Sequence, residues 1–65
     1  MVYPTLIAEM AKRKVKRSDL ADALGVHRNA IYYKLEKGSF SIEEAEIIHG
    51  EYFSDFPMKE LFKRE

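Results

Sequence analysis

The chain has 65 residues, in which 11 lysines and arginines are balanced by 11 aspartates and glutamates, and it contains no cysteine and no tryptophan. A fold of this size buries only about 60% of the surface that its unfolded chain exposes, so a deep catalytic cavity is excluded and we do not expect an enzyme. The missing cysteines exclude disulfides and thiolate zinc sites. We therefore expect one folded domain over residues 1–65, with no metal, no cofactor and no small-molecule substrate.

The first predicted helix follows Pro4, a residue well suited to the first helical position, and runs to about Arg13. One apolar stripe along it contains Leu6, Ile7 and Met10. A second helix is predicted from about Arg17 to Leu24 and a third over residues 27–37. Both are followed by glycine, which readily takes the left-handed conformation of a helix exit.

The fourth predicted helix begins at Ser41, because Ser41 and Glu44 form an S-x-x-E capping box. We expect its buried stripe to contain Ile42, Ala45, Ile48 and Tyr52. Ile47 falls on the opposite side, where it is either a tolerated surface residue or a contact with another chain. A turn at residues 54–57 leads into a last short helix that carries Met58, Leu61 and Phe62. With no convincing strand, the predicted fold is all-α, a compact bundle of about five short helices.

Residues 17–35 contain the most informative pattern. A small residue, Ala21, is followed four positions later by Gly25 and ten positions later by the β-branched Ile31. This spacing is typical of a helix-turn-helix, in which two helices cross closely and glycine makes the turn between them. The apolar residues that would fill the wedge between the helices are Leu20, Leu24, Val26, Ile31 and Leu35.

Around this motif the chain resembles the lambda-repressor-like (Cro/repressor, XRE-type) helix-turn-helix family, particularly its small phage-encoded regulators. Residues 20–28 read L-A-D-A-L-G-V-H-R against the family's L-A-x-x-L-G-V-x-R, and Glu60-Leu61-Phe62 matches a common family ending. The resemblance covers nearly the whole chain. It implies a transcriptional regulator, repressor or Cro-like, that binds double-stranded DNA as a homodimer.

The resemblance further implies that the third helix lies in the DNA major groove. The base-reading positions carried over from it are His27, Arg28, Asn29, Tyr32 and Tyr33. The side-chain chemistry agrees, because Arg pairs with guanine, Asn with adenine, and an aromatic edge packs on a thymine methyl. For the two tyrosines the alternative is packing at the edge of a thin core. The cations better suited to phosphates are Arg13, Lys14, Lys16, Arg17, Lys34 and Lys37.

The charges are divided unevenly along the neutral chain. Residues 11–37 contain eight bases and three acids, a balance of +5, whereas residues 38–65 contain seven acids and three bases, a balance of −4, and Glu9 adds −1. The alternative is that both runs are merely solvated helix faces. Because binding depends on the local field, neutrality of the whole chain does not exclude DNA.

Three further expectations follow. Lys16 stands where the family has a capping Ser or Thr, so the cap of the second helix falls to Ser18 or is absent. The N-terminus has no signal-peptide pattern and no apolar run long enough for a membrane span, so we expect a protein of the reducing cytoplasm, in a bacterial host. The alternative function is a protein-binding module, antirepressor or antitoxin-like, whose partner or dimer surface lies at about residues 52–65. For this segment, core and interface roles stay open for Phe53, Phe56 and Phe62.

Overall fold

The computed structural model describes residues 2–64, and these fold into five helices without any strand. The helices are α1 Pro4–Arg13, α2 Arg17–Leu24, α3 Arg28–Lys37, α4 Ile42–Tyr52 and α5 Met58–Leu61. The predicted all-α fold is confirmed. The predicted starts of the third and fourth helices were each one residue early, because His27 and Ser41 are the N-caps of α3 and α4.

The core takes at least one fully buried side chain from every helix. These residues are Leu6, Leu20, Ile31, Ile48 and Leu61, and Phe53 joins them from the segment after α4. Burial of each such side chain contributes roughly 1.5–3 kcal/mol of transfer free energy. Helix α2 contacts α3 and α4, while α5 contacts α1 and α4, so the first and last helices are packed against each other.

Helix α4 differs from the predicted burial pattern at its first residue. Ile42 was expected in the buried stripe but is 77% exposed, whereas Ala45 and Ile48 are buried and Tyr52 is half-buried. Helical side chains lean toward the N-terminus, so a residue in the first position projects past the end of its own helix. Ile47, expected on the opposite side, is indeed exposed, at 44%.

The C-terminal aromatic residues belong to the core. Phe53 is fully buried, and Phe56 and Phe62 are half-buried and packed against the core cluster. The Phe62 ring makes an edge contact with Tyr3, their ring centroids being 5.9 Å apart. Of the core and interface roles left open for these residues, Phe53 has the core role, whereas Phe56 and Phe62 pack against the core and stay partly exposed.

The two glycines that end α2 and α3 have different surroundings. Both are left-handed, with φ of +68° at Gly25 and +71° at Gly38. A Cβ atom at Gly25 would meet no atom within 4 Å, but one at Gly38 would lie 2.6 Å from Val2 Cγ1 and 2.8 Å from Arg64 Nη1. Gly38 is therefore required by close packing as well as by backbone conformation.

Candidate nucleic-acid interface

Helix α3 has one buried and one exposed face. Ile31 and Leu35 are buried, while every base-reading residue predicted from the sequence is exposed: His27, Arg28, Asn29, Tyr32 and Tyr33. Tyr32 is 50% and Tyr33 63% exposed, and their rings pack edge to face with centroids 6.2 Å apart. The tyrosines thus pack on each other at the surface, and half or more of each side chain remains exposed.

Arg17 connects the start of α2 to this exposed face. Its guanidinium carbon lies 5.6 Å from the centroid of the Tyr32 ring, within the range of a cation–π interaction. The contact restrains two long side chains on neighbouring helices. A cation is thereby held beside the aromatic pair of α3.

Three of the predicted cations border a single cleft of about 520 Å³ at the start of α2. Its rim includes Lys16 and Arg17, which begin α2, and Arg28, which begins α3. Its floor is apolar and comes from Ile7, Met10, Ala11 and Val15. The first residue of α3 and the first turn of α2 therefore present positive charge on the same side of the molecule.

The start of α2 lacks a side-chain acceptor for its first free N–H groups. Neither Lys16 nor Ser18 caps it with a side chain. The Asp19 carboxylate accepts the Lys16 N–H at 2.8 Å, and the Asp19 N–H donates to the Lys16 carbonyl at 3.0 Å. Of the two outcomes predicted, a cap from Ser18 or no cap, the second is found. Unsatisfied N–H groups at a helix N-terminus attract anions, particularly next to cationic side chains.

His27, the last residue before α3, caps the N-terminus of this helix. Its Nδ1 atom accepts a hydrogen bond from the Asn29 backbone N–H at 3.1 Å, which satisfies one free donor of the helix. The two base-reading residues are thus coupled through the backbone.

Arg13, a predicted phosphate contact, pairs with acids of the fold. Its guanidinium donates to both carboxylate oxygens of Asp55, at 2.6 and 3.2 Å, and to the carbonyl of Tyr52 at 3.0 Å. It also donates to the buried Glu9 at 3.3 Å and lies 5.1 Å from the Phe53 ring centroid. The hydrogen bonds to Asp55 raise the pKa of Arg13 and lower the pKa of the Asp55 carboxyl. Arg13 therefore joins α1 to the segment after α4.

Lys34 is also paired within the fold. Its Nζ atom lies 3.1 Å from the carboxylate of Glu44, and both side chains are largely covered. Glu44 completes the predicted capping box with Ser41, whose Oγ accepts the Glu44 N–H at 3.1 Å. The hydrogen bond from the Ser41 N–H and the contact with Lys34 lower the pKa of Glu44. Lys34 thus links α3 to α4.

The remaining predicted cations are exposed and form no ion pair with an acid of the described residues. Lys14, which ends α1 in a left-handed conformation, and Lys37, which ends α3, lie more than 4 Å from every carboxylate oxygen of residues 2–64. The same holds for Lys16, Arg17 and Arg28 on the rim of the cleft.

Sequence reasoning missed a second cleft, of about 460 Å³, beside the exposed Ile42. Its apolar lining is Tyr3, Phe40, Ala45, Met58 and Phe62. The position of Ile42 directly after the N-cap Ser41 was the signal that could have indicated its exposure.

Within residues 2–64, no group of three or more His, Asp or Glu side chains is arranged to hold a metal ion. No helix there has the length and apolarity needed to cross a bilayer. No family model matches the chain, nor does any curated protein or solved structure.

Proposed function

We propose that this protein is a sequence-specific DNA-binding regulator of the repressor or Cro-like type, which acts in the cytoplasm of a bacterial host by binding and without catalysis. The observation that carries the proposal is the exposed face of α3, on which Arg28, Asn29, Tyr32 and Tyr33 lie beside the cations that begin α2. A polar and aromatic helix face flanked by positive charge suits the major groove of double-stranded DNA.

Each residue of this face has a chemical role in the proposal. Arg28 donates to O6 and N7 of a guanine, and Asn29 pairs with the N6 and N7 atoms of an adenine. The tyrosine edges pack against thymine methyl groups, and the cation–π contact with Arg17 keeps Tyr32 oriented for this. These contacts supply sequence specificity.

Phosphates are bound at the periphery. The uncapped start of α2, together with Lys16 and Arg17, receives one phosphate, and Lys14 and Lys37 add further cations. Arg13 and Lys34 are left out, because their charges are neutralised by acids of the fold. With so few free cations on a neutral chain, non-specific DNA binding is weak, and its dependence on salt is shallow because the slope scales with the number of phosphates neutralised.

We propose that two copies bind a pseudo-palindromic operator, and that they associate through Ile42. Because Ile42 is exposed at the edge of an apolar cleft, a two-fold axis allows each copy to insert this side chain into the cleft of the other. Ile42→Ser is expected to shift the chain toward monomer in sedimentation velocity. The matched control Ile47→Ser, on the far side of α4, leaves association unchanged; equal effects of the two changes would contradict this surface.

The decisive experiment for DNA binding is selection of duplexes from a random library, followed by fluorescence anisotropy on the enriched sequence. We expect one sequence motif in two inverted halves, bound about 10³-fold or more tightly than a scrambled duplex. Footprinting of the DNA upstream of the protein's own gene tests the same point in a natural sequence. The absence of both an enriched motif and a protected site at low salt would refute the proposed function.

A further inference from the structure

We infer that His27 reads DNA only as a hydrogen-bond donor, through its Nε2–H group, and that it excludes cytosine at the position it faces. This inference rests on the proposed function, and it concerns which base is accepted opposite the N-cap residue of α3. It follows from the way in which His27 caps the helix.

The cap determines which ring nitrogen carries the proton. The Asn29 backbone N–H can only donate, so the Nδ1 atom of His27 that receives it at 3.1 Å must be unprotonated. A neutral imidazole has one N–H, which is then on Nε2. The same hydrogen bond that caps the N-terminus of the helix therefore fixes the tautomer of the ring.

The free nitrogen is available to a ligand. His27 is exposed, directly precedes Arg28, and borders a shallow cleft that also contains Ser18, Asp22 and Arg28. No residue in the described part of the chain accepts a hydrogen bond from its Nε2. The other histidine differs, because His49 Nε2 donates to the Phe56 carbonyl at 2.6 Å.

A single fixed donor distinguishes the bases of the major groove. Guanine presents O6 and N7, adenine presents N7 and thymine presents O4, all of which accept, whereas cytosine presents only its N4 donor. A cytosine would therefore place two donors against each other. A histidine without the cap could change tautomer and accept from cytosine, so the cap is what makes His27 selective.

The first test measures the tautomer in the free protein. In ¹⁵N-edited NMR at neutral pH, we expect the His27 ring to show its proton on Nε2, and the signal is assigned by its absence in His27→Ser. A proton on Nδ1 would overturn the inference. This measurement needs no DNA, so it remains informative even if no duplex is ever selected.

The second test separates the cap from the donor by substitution. His27→Ser retains an oxygen that can cap the helix, but its side chain is too short for a donor to reach the DNA base. His27→Ala has neither the cap nor the donor. We expect His27→Ser to melt within about 2 °C of the wild type and His27→Ala to melt about 4–8 °C lower.

On the selected duplex, both variants are expected to bind about 3- to 10-fold more weakly than wild type, the range for one lost hydrogen bond. Both are also expected to lose the discrimination against cytosine at one position. Wild-type base preference in His27→Ser would refute the donor role while leaving DNA binding intact. Failure of the wild type to select any duplex would instead refute the proposed function.

Discussion

Arg13 and Arg17 are four residues apart, yet they belong to two different regions of the molecule. At the end of α1, Arg13 contacts Glu9, Tyr52, Asp55 and the Phe53 ring. At the start of α2, Arg17 contacts the exposed Tyr32 ring and pairs with no acid of residues 2–64. The comparison teaches that a basic run in the sequence can contain both cations that pair with acids of the fold and cations that do not, and that the acids of distant segments decide which is which.

The difference has an electrostatic cause. Glu9 is buried, and a buried carboxylate is costly unless a cation and hydrogen bonds compensate for its lost hydration. Lys12 and Arg13 supply this compensation, so the charge of that region is used within the fold. The starts of α2 and α3 have no buried acid to neutralise, so Lys16, Arg17 and Arg28 pair with no acid of residues 2–64.

The substitution Arg28→Ala is expected to have the largest effect, a loss of DNA-binding affinity. Loss of a bidentate contact is expected to cost about 1–3 kcal/mol, roughly 5- to 150-fold in Kd, and to relax specificity at one base pair. Competition anisotropy with the four base variants of that position measures it. Lys63→Ala removes one charge near the C-terminus and serves as the control, with unchanged preference expected. Equal losses on specific and random DNA would show that Arg28 is a phosphate contact.

The substitution Arg13→Ala is expected to have the next largest effect, a loss of thermal stability. It removes the link between α1 and the segment after α4 and leaves Glu9 with Lys12 alone, so we expect a Tm about 4–8 °C lower. Arg17→Ala is the matched control and is expected to weaken DNA binding while melting within about 2 °C of wild type. Thermal denaturation followed by circular dichroism measures both. Equal melting temperatures of the two variants would contradict the claim that Arg13, and not Arg17, stabilises the fold.

A smaller effect concerns acid stability. The hydrogen bonds from Arg13 lower the pKa of Asp55 below its ordinary value of 3.8. A carboxyl group with a lowered pKa stabilises the fold above its unfolded-state pKa, and this contribution is lost as the pH falls through the folded-state pKa. We therefore expect Asp55→Asn to melt below wild type at pH 6, and the gap to close as the pH falls below about 4. A gap that is the same at both pH values would exclude an ionic origin.

Features that depend on neighbours in the chain could be predicted from the sequence. The glycine ends of α2 and α3 and the capping box of Ser41 and Glu44 were all found, because each involves residues a few positions apart. The exposed residues of α3 followed from helical periodicity in the same way. Local rules were sufficient for the helices and for the exposed face of α3, whereas the base-reading roles on that face are what the family resemblance implies.

Features set by distant segments could not be predicted. Asp55 is 42 positions from Arg13, and nothing in the spacing of the two indicates that they meet. Lys34 was assigned to phosphate as a peripheral cation, and its pairing with Glu44 was not predicted, because Glu44 was interpreted only as a capping residue. Whether a cation pairs with an acid of the fold depends on tertiary packing that composition and periodicity do not contain.

The smallest expected effect separates two lysines of one helix. Lys34 and Lys37 lie three positions apart on α3, and the first is paired with Glu44 while the second meets no acid of residues 2–64. Lys37→Ala is expected to weaken binding a few-fold on specific and random duplexes alike, and to reduce the slope of log Kd against log salt by about one. Lys34→Ala is expected to lower Tm and leave that slope unchanged, because its charge is already neutralised. Equal slope changes would mean that Glu44 releases Lys34 on binding, so that the division between the two kinds of cation holds only in the free protein.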